Sequence, residues 1–234
     1  MATENKANAR FITRAYINNE KAELKKHWIV LKAKTPGTCQ ITVKQTDNIK
    51  KFAQVAVDMG WGTIIDRVFF GYVERIMSAE NGFVILFCRE LAAALNYQFN
   101  IMLRHPTLKQ VLTELTNQSG IEFVMPEQAY AQTSIPCFYS DSSGYAMLDN
   151  IGRAFKINDF IWQQQGNGKV FVGSYSDSFW FDKNIEIPKQ LLTGQQAART
   201  ATMPAAPMIR PNVTANSERI RTIEFIETNM NISW

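Results

Sequence analysis

His27 and His105 are the only imidazoles in 234 residues. Each would need a nucleophile to activate, or further ligands with which to hold a metal, and neither has such a companion at a recognisable spacing. His105 precedes Pro106 at the approach to a helix, where it reads as a turn residue rather than a base. Asp141-Ser142-Ser143-Gly144 sets hydroxyls beside a carboxylate, but it lacks the G-x-S-x-G pattern, and helix capping accounts for its serines. Glu90 and Glu114 fall on predicted helices without a second carboxylate to complete an acid–base pair. Gly60-Trp61-Gly62 and Asn167-Gly168 have neither Walker nor dinucleotide-binding spacing and read as turns. Cys39, Cys88 and Cys137 are odd in number and far apart, so they read as small buried hydrophobes rather than a disulfide framework or zinc site. The expectation is a non-enzymatic protein with no catalytic, cofactor-binding or metal-ligating residues and no cofactor.

The elements that would have to carry chemistry are clearest over residues 107–173. Thr107-Leu108-Lys109-Gln110 is a capping box that starts a helix. Leu108, Val111, Leu112 and Leu115 then make one apolar stripe, and Gly120 suits a left-handed stop. Ile121-Glu122-Phe123-Val124 reads as a short strand, with another expected near 135–139. Ser142 or Ser143 caps a second helix whose Met147, Leu148, Ile151 and Phe155 share a face. Phe160-Ile161-Trp162 and Lys169-Val170-Phe171-Val172 flank Gly166-Asn167-Gly168 as a β-hairpin. Two helices on a small sheet make an α+β module.

Before this module the pattern is short strands joined by local turns. Residues 10–18 read as an extended arm or first strand, and strands are expected over 28–33, 38–43, 68–76 and 83–88, with reversals at Pro36-Gly37, within 58–62 and at Asn81-Gly82. The continuous apolarity of 83–88 predicts burial on both faces. A short helix over 89–95 and a strand over 99–103 lead into the module. No crossover helices intervene, which argues for a small antiparallel barrel. Residues 193–206, rich in Ala, Thr and Gln, read as linker. Two late strands, 219–226 and 230–234, need partners that a barrel left open earlier could supply. The fold class expected is mixed β and α+β: a barrel domain over 1–103, an inserted module over 104–175, and linker and return strands over 176–234.

A hydrophobic content of 46% supports a real core, and 12% aromatic residues fit sheets and interfaces. The formal charge is only +4. Lys6, Arg10, Arg14, Lys21, Lys25, Lys26, Lys32, Lys34, Lys44, Lys50 and Lys51 crowd into the first quarter, read chiefly as a solvated face. No apolar run is long enough for a membrane helix, and residues 1–10 are polar with no signal-peptide core, so neither membrane insertion nor export is expected.

Phe70-Gly71-Tyr72-Val73-Glu74, then Cys88-Arg89-Glu90-Leu91, then Leu103-Arg104-His105-Pro106-Thr107-Leu108 with Ser119-Gly120-Ile121, resemble in their order the late-control-type baseplate hub proteins of contractile-tailed bacteriophages. Gly168-Lys169-Val170-Phe171-Val172-Gly173 matches the hairpin that ends the family's inserted module. Ile209-Arg210-Pro211 through Glu218-Arg219-Ile220-Arg221-Thr222-Ile223 resembles the return to the barrel, with Asn212 where a glycine would suit the turn. The resemblance implies a homotrimer in which two barrel-like domains per subunit form a pseudo-sixfold ring, adapting the sixfold tail tube to a threefold central spike. It further implies partners among tube, spike and other baseplate proteins, DNA only in passage through the lumen, and a place in the virion baseplate after assembly in the host cytoplasm. Interface residues are not named by any motif. Two other readings stand beside it. One is a secretin-type or receptor signalling protein, from the likeness of 108–124 to those α+β domains. The other is a nucleic-acid binder, from the basic first quarter.

Overall fold

The computed structural model describes residues 10–196 and 199–234; Lys6, the polar leader over 1–9 and residues 197–198 of the predicted linker lie outside them. The strands of the first part are β1 (Phe11–Ile17), β2 (Glu20–Ala22), β3 (Leu24–Lys32), β4 (Thr35–Lys44), β5 (Gln54–Trp61), β6 (Ile64–Ser78) and β7 (Phe83–Glu90). A 3-10 turn over Leu91–Asn96 leads to β8 (Gln98–Arg104), α1 (Leu108–Ser119), β9 (Phe123–Val124), α2 (Ala129–Gln132), β10 (Cys137–Ser143), α3 (Gly144–Ala154), β11 (Phe160–Gln164) and β12 (Val170–Ser174). The remainder holds β13 (Asn184–Ile185), β14 (Thr193–Gln196), β15 (Thr200–Pro204), β16 (Thr214–Ala215), β17 (Glu218–Arg219), β18 (Thr222–Ile226) and β19 (Asn229–Ser233).

Eleven strands join in the order β14-β15-β19-β18-β3-β4-β7-β6-β5-β1-β2, and every pairing in the ladder is antiparallel. The fold class is the mixed β and α+β one expected, but the ladder is open. It curls instead around a single core to which Ala15, Val57 and Met59 contribute from one end and Ala201, Met203 and Met230 from the other. Side chains bridge the two ends: the Trp61 indole N–H donates to the Ala205 carbonyl at 2.8 Å. Alternation drives the curl, since β3 points His27, Ile29 and Leu31 inward while Lys26, Trp28 and Lys32 face out. Burying Phe225 or Ile29 completely contributes about 2 to 3 kcal/mol each.

The late strands find the partner they need, because β18 pairs with β3 from Thr222↔Lys32 to Ile226↔Trp28. The predicted linker over 193–206 is different. It supplies β14 and β15 to the same sheet, since Ala201 and Met203 alternate with Thr200 and Thr202 and place two apolar side chains in the core. Asn81-Gly82 turns β6 into β7 with both residues at positive φ. Pro36 and Gly37 lie inside β4, and the reversal comes at Lys34 (φ 56°). Residues 58–61 complete β5, and the reversal waits until Gly62. The apolar run of β7 is not buried on both faces: Val84, Leu86 and Cys88 point inward, whereas Phe83 and Phe87 lie outside under Lys25 and Arg75. Cationic side chains cover those rings, so an outward aromatic needs no second sheet.

A second core unites Ala92, Leu95, Phe99 and Ile101 with the buried faces of α1 and α3 and with Trp162, Val170 and Val172. Thr107 forms the capping box with Gln110, and Gly120 ends α1 in the left-handed conformation. Ser143 caps α3. The helices pack on two small sheets rather than one: the ribbon β8-β10, and β11-β12-β9, in which β9 runs parallel to β12. Among the described residues no helix is long and apolar enough to cross a membrane.

Candidate functional site

The hairpin β11–β12 is buried along nearly its whole length, because it has a core on each side. Trp162, Val170 and Val172 face the second core, where Trp162 stacks on Tyr145. Ile161 and Phe171 face the other way and pack with Trp180 and Val213. The hairpin tip presses on the large sheet: a Cβ at Gly166 would lie 2.9 Å from the Arg67 carbonyl, and one at Gly168 (φ 87°) would lie 2.8 Å from the Phe70 ring. The Gly-Asn-Gly turn is therefore also a point of close approach between the hairpin and β6.

Polar groups at this junction are matched to one another. Gln164 accepts from the Ala92 N–H and donates to the Phe70 carbonyl, both at 2.8 Å. Asn212, wholly buried, donates its side-chain amide to Gln163 and accepts from Arg219 at 2.7 and 2.9 Å. Arg219 also lies over the Tyr175 ring and donates to Asp159 at 2.9 Å. Asn212 takes φ 73°, so at the position where a glycine would suit the turn asparagine supplies the same backbone conformation and adds a buried hydrogen-bond hub. Satisfied buried networks of this kind hold two packed bodies in one orientation.

Beside the network lies a cavity of 270 Å³ lined by Leu31, Val68, Glu90, Gln163, Gln164 and Arg210, among others. Glu90 is the last residue of β7, not a helical residue, and its inward position buries it. Its carboxylate accepts from the Gly37 N–H at 2.6 Å. Burial pushes its pKa up to about 7, opposed by that hydrogen bond and by the Arg210 charge. Arg210 donates to the carbonyls of Val68, at 2.7 Å, and Arg67. No sequence signal marks Glu90 as a cavity carboxylate, since inward alternation at the end of β7 is visible only once the strand register is known.

The other candidates stay apart. His27 faces the first core, contacts the Glu227 carbonyl at 3.1 Å, and has its pKa lowered chiefly by burial. His105 occupies a left-handed turn (φ 49°). Ser140, Ser142 and Ser143 bond to one another, to Asn150 and to the cap of α3. Glu114 accepts from Gln118 one turn further along α1. Cys39 and Cys88 are buried cross-strand partners, but Cys137 is exposed, because it falls on the outward face of β10. Among the described residues no group of three or more His, Cys, Asp or Glu side chains is arranged to hold a metal ion. What the surface does offer is apolar: cross-strand pairs Met102–Tyr139 and Trp28–Ile226, and Phe179 with Phe181, are all substantially exposed.

This architecture is shared with phage tail proteins. The 43 kDa tail protein of prophage MuSo2 from Shewanella oneidensis superimposes with a TM-score of 0.68 at 10% identity, over 95% of this chain and 97% of that one. A tail protein from Neisseria meningitidis MC58 gives 0.65 at 10% identity, over 95% of each chain. An E. coli component of the type VI secretion system, itself described as structurally similar to T4 bacteriophage tail proteins gp27 and gp5, gives 0.58 at 8% identity, over 93% and 75%. In sequence, the chain is 37% identical over 216 residues to an uncharacterized 58.7 kDa protein from the lys 3' region of Haemophilus phage HP1. That match takes in 92% of this chain, which spans 40% of the relative's length. No family model matches the chain.

Proposed function

We propose that the chain is a structural protein of a bacteriophage tail and acts there as the baseplate hub. The observation that carries the proposal is the correspondence of nearly the whole chain, large sheet and hairpin-bearing module together, with the MuSo2 tail protein at 95% and 97% mutual coverage. In this reading three copies form a ring, with the curled sheets as platforms for the sixfold tail tube above and the central spike below. Closing such a ring requires heterologous contacts that repeat without a gap. In this reading the eleven-stranded sheet is the framework, and the module, which takes in β8 and runs on to β12, decorates the ring or meets other baseplate proteins. The buried network at Asn212 supports this use, because a symmetry adaptor must hold its parts in one relative orientation. Its role is assembly rather than catalysis, DNA crosses it only in passage, and its place is the virion of a contractile-tailed phage after assembly in the host cytoplasm.

Light scattering on the purified chain, followed by imaging of particles, tests this. The expected result is a species of three times the 26.6 kDa chain mass that images as a ring and binds tube and spike proteins of the same genome. A monomer at every concentration that joins neither would refute it.

A further inference from the structure

One end of the large sheet carries a groove of 720 Å³ that borders the junction network and shares Asp159, Asn212 and Arg219 with it. Its walls come from separate parts of the chain: the β3–β4 reversal (Lys32, Lys34), the turn before β11 (Asp159), the approach to β15 (Arg199), Asn212, the β17–β18 segment (Arg219, Arg221) and the end of β19 (Trp234). Backbone hydrogen bonds lock these together, from the Ala33 N–H to the Arg221 carbonyl at 2.9 Å and from the Arg221 N–H to the Ser233 carbonyl at 2.8 Å. Five cationic side chains thus converge. Two are matched: Arg219 with Asp159 at 2.9 Å and Arg199 with Glu218 at 3.6 Å. Lys32, Lys34 and Arg221 are exposed and make no ion pair among the described residues.

We propose that this groove is a docking site for an acidic peptide segment of a partner protein, whose carboxylates engage Lys32, Lys34 and Arg221. Charge complementarity requires an anion, and the lining decides which kind. Asp159 and Glu218, each paired with one arginine, have acceptor capacity left over, which peptide backbone N–H groups can use and a phosphodiester backbone cannot. Trp234 is the groove's one aromatic, whereas single-stranded nucleic acid is held on successive aromatic platforms. A concave site of 720 Å³ lies within the range of ligand pockets, whereas a duplex is held on an extended face.

The test is anisotropy of a labelled hexaglutamate peptide with the full chain, with an oligothymidylate of equal length as competitor. Binding should weaken as salt rises from about 50 to 200 mM, as expected of surface charge pairing. It should fall at least tenfold in Lys34→Glu/Arg221→Glu, and by a smaller factor in Lys34→Glu alone, a change confined to a turn tip. Lys50→Glu, an exposed lysine elsewhere, should leave it unchanged. Three results would overturn the proposal: no peptide binding, equal loss in Lys50→Glu, or an oligonucleotide that binds more tightly than the peptide through the same two residues.

Discussion

Replacing Glu90 by glutamine should change how stability depends on pH. In the folded protein burial raises the carboxyl pKa from 4.5 to about 7, so the native state holds a proton that the unfolded chain releases between those values. The unfolded state then binds fewer protons, and stability falls as pH rises through that window, levelling off above pH 7. A shift from 4.5 to about 7 corresponds to a loss of about 3 kcal/mol in all. Glutamine keeps an oxygen for the Gly37 N–H at the same reach and removes the ionisation. The groups facing the carboxyl are Arg210 within the cavity and, beyond Arg210, Asp66. His27 works in the opposite sense, because its lowered pKa costs stability as pH falls below about 6.5. The informative quantity is therefore the difference between variant and parent. Urea unfolding at pH 5 and pH 8 should show the variant's advantage over the parent growing by about 2 to 3 kcal/mol from the lower pH to the higher. A difference independent of pH would refute the reasoning and mean that Arg210 holds Glu90 ionised throughout.

Gly71→Ala should be severe, since a Cβ there would sit 1.9 Å from the Arg89 carbonyl in the centre of the ladder. Relief would require β6 and β7 to part, so a loss of more than about 4 kcal/mol is expected in denaturant midpoints; a loss below about 1 kcal/mol would show that the strands can yield. Thr107→Ala removes the hydroxyl that accepts from the Gln110 N–H at the start of α1 and leaves the Thr107 backbone N–H bond to the Gln110 side chain available, and should cost about 1 kcal/mol, read as a lower Tm. A variant with unchanged Tm would show that this hydroxyl adds nothing to the stability of the folded chain.

Much of the local structure is readable without coordinates because its causes are local. Thr107, Gln110 and Gly120 set the ends of α1 through side chains and dihedrals within a few positions, and Asn81-Gly82 needs only tolerance of positive φ. The failures share a different cause. Residues 200–204 look like linker because two alanine- and methionine-sized side chains are a weak signal, and they become a strand only because β19 offers its edge. Pro36-Gly37 looks like a turn, yet Lys34 takes the left-handed position and β4 runs on through both residues beside β3. The outward rings of β7 look like core because their cover, Lys25 of β3 and Arg75 of β6, comes from other strands.

By itself the sequence determined the helical periodicities, the caps, the Asn81-Gly82 and Gly166-Asn167-Gly168 turns and the fold class, all of which depend on contacts within a few residues or on the inward–outward alternation of single strands. The tertiary structure alone decided the pairing of β18 with β3 across 190 residues or more, the open ladder curled on one core, the buried network at Asn212 and the cavity around Glu90. Those features depend on register and on which distant backbone fills the space beside a side chain. Burial then turns an ordinary carboxylate into one that titrates near pH 7, and strand ends brought together turn scattered lysines and arginines into a groove.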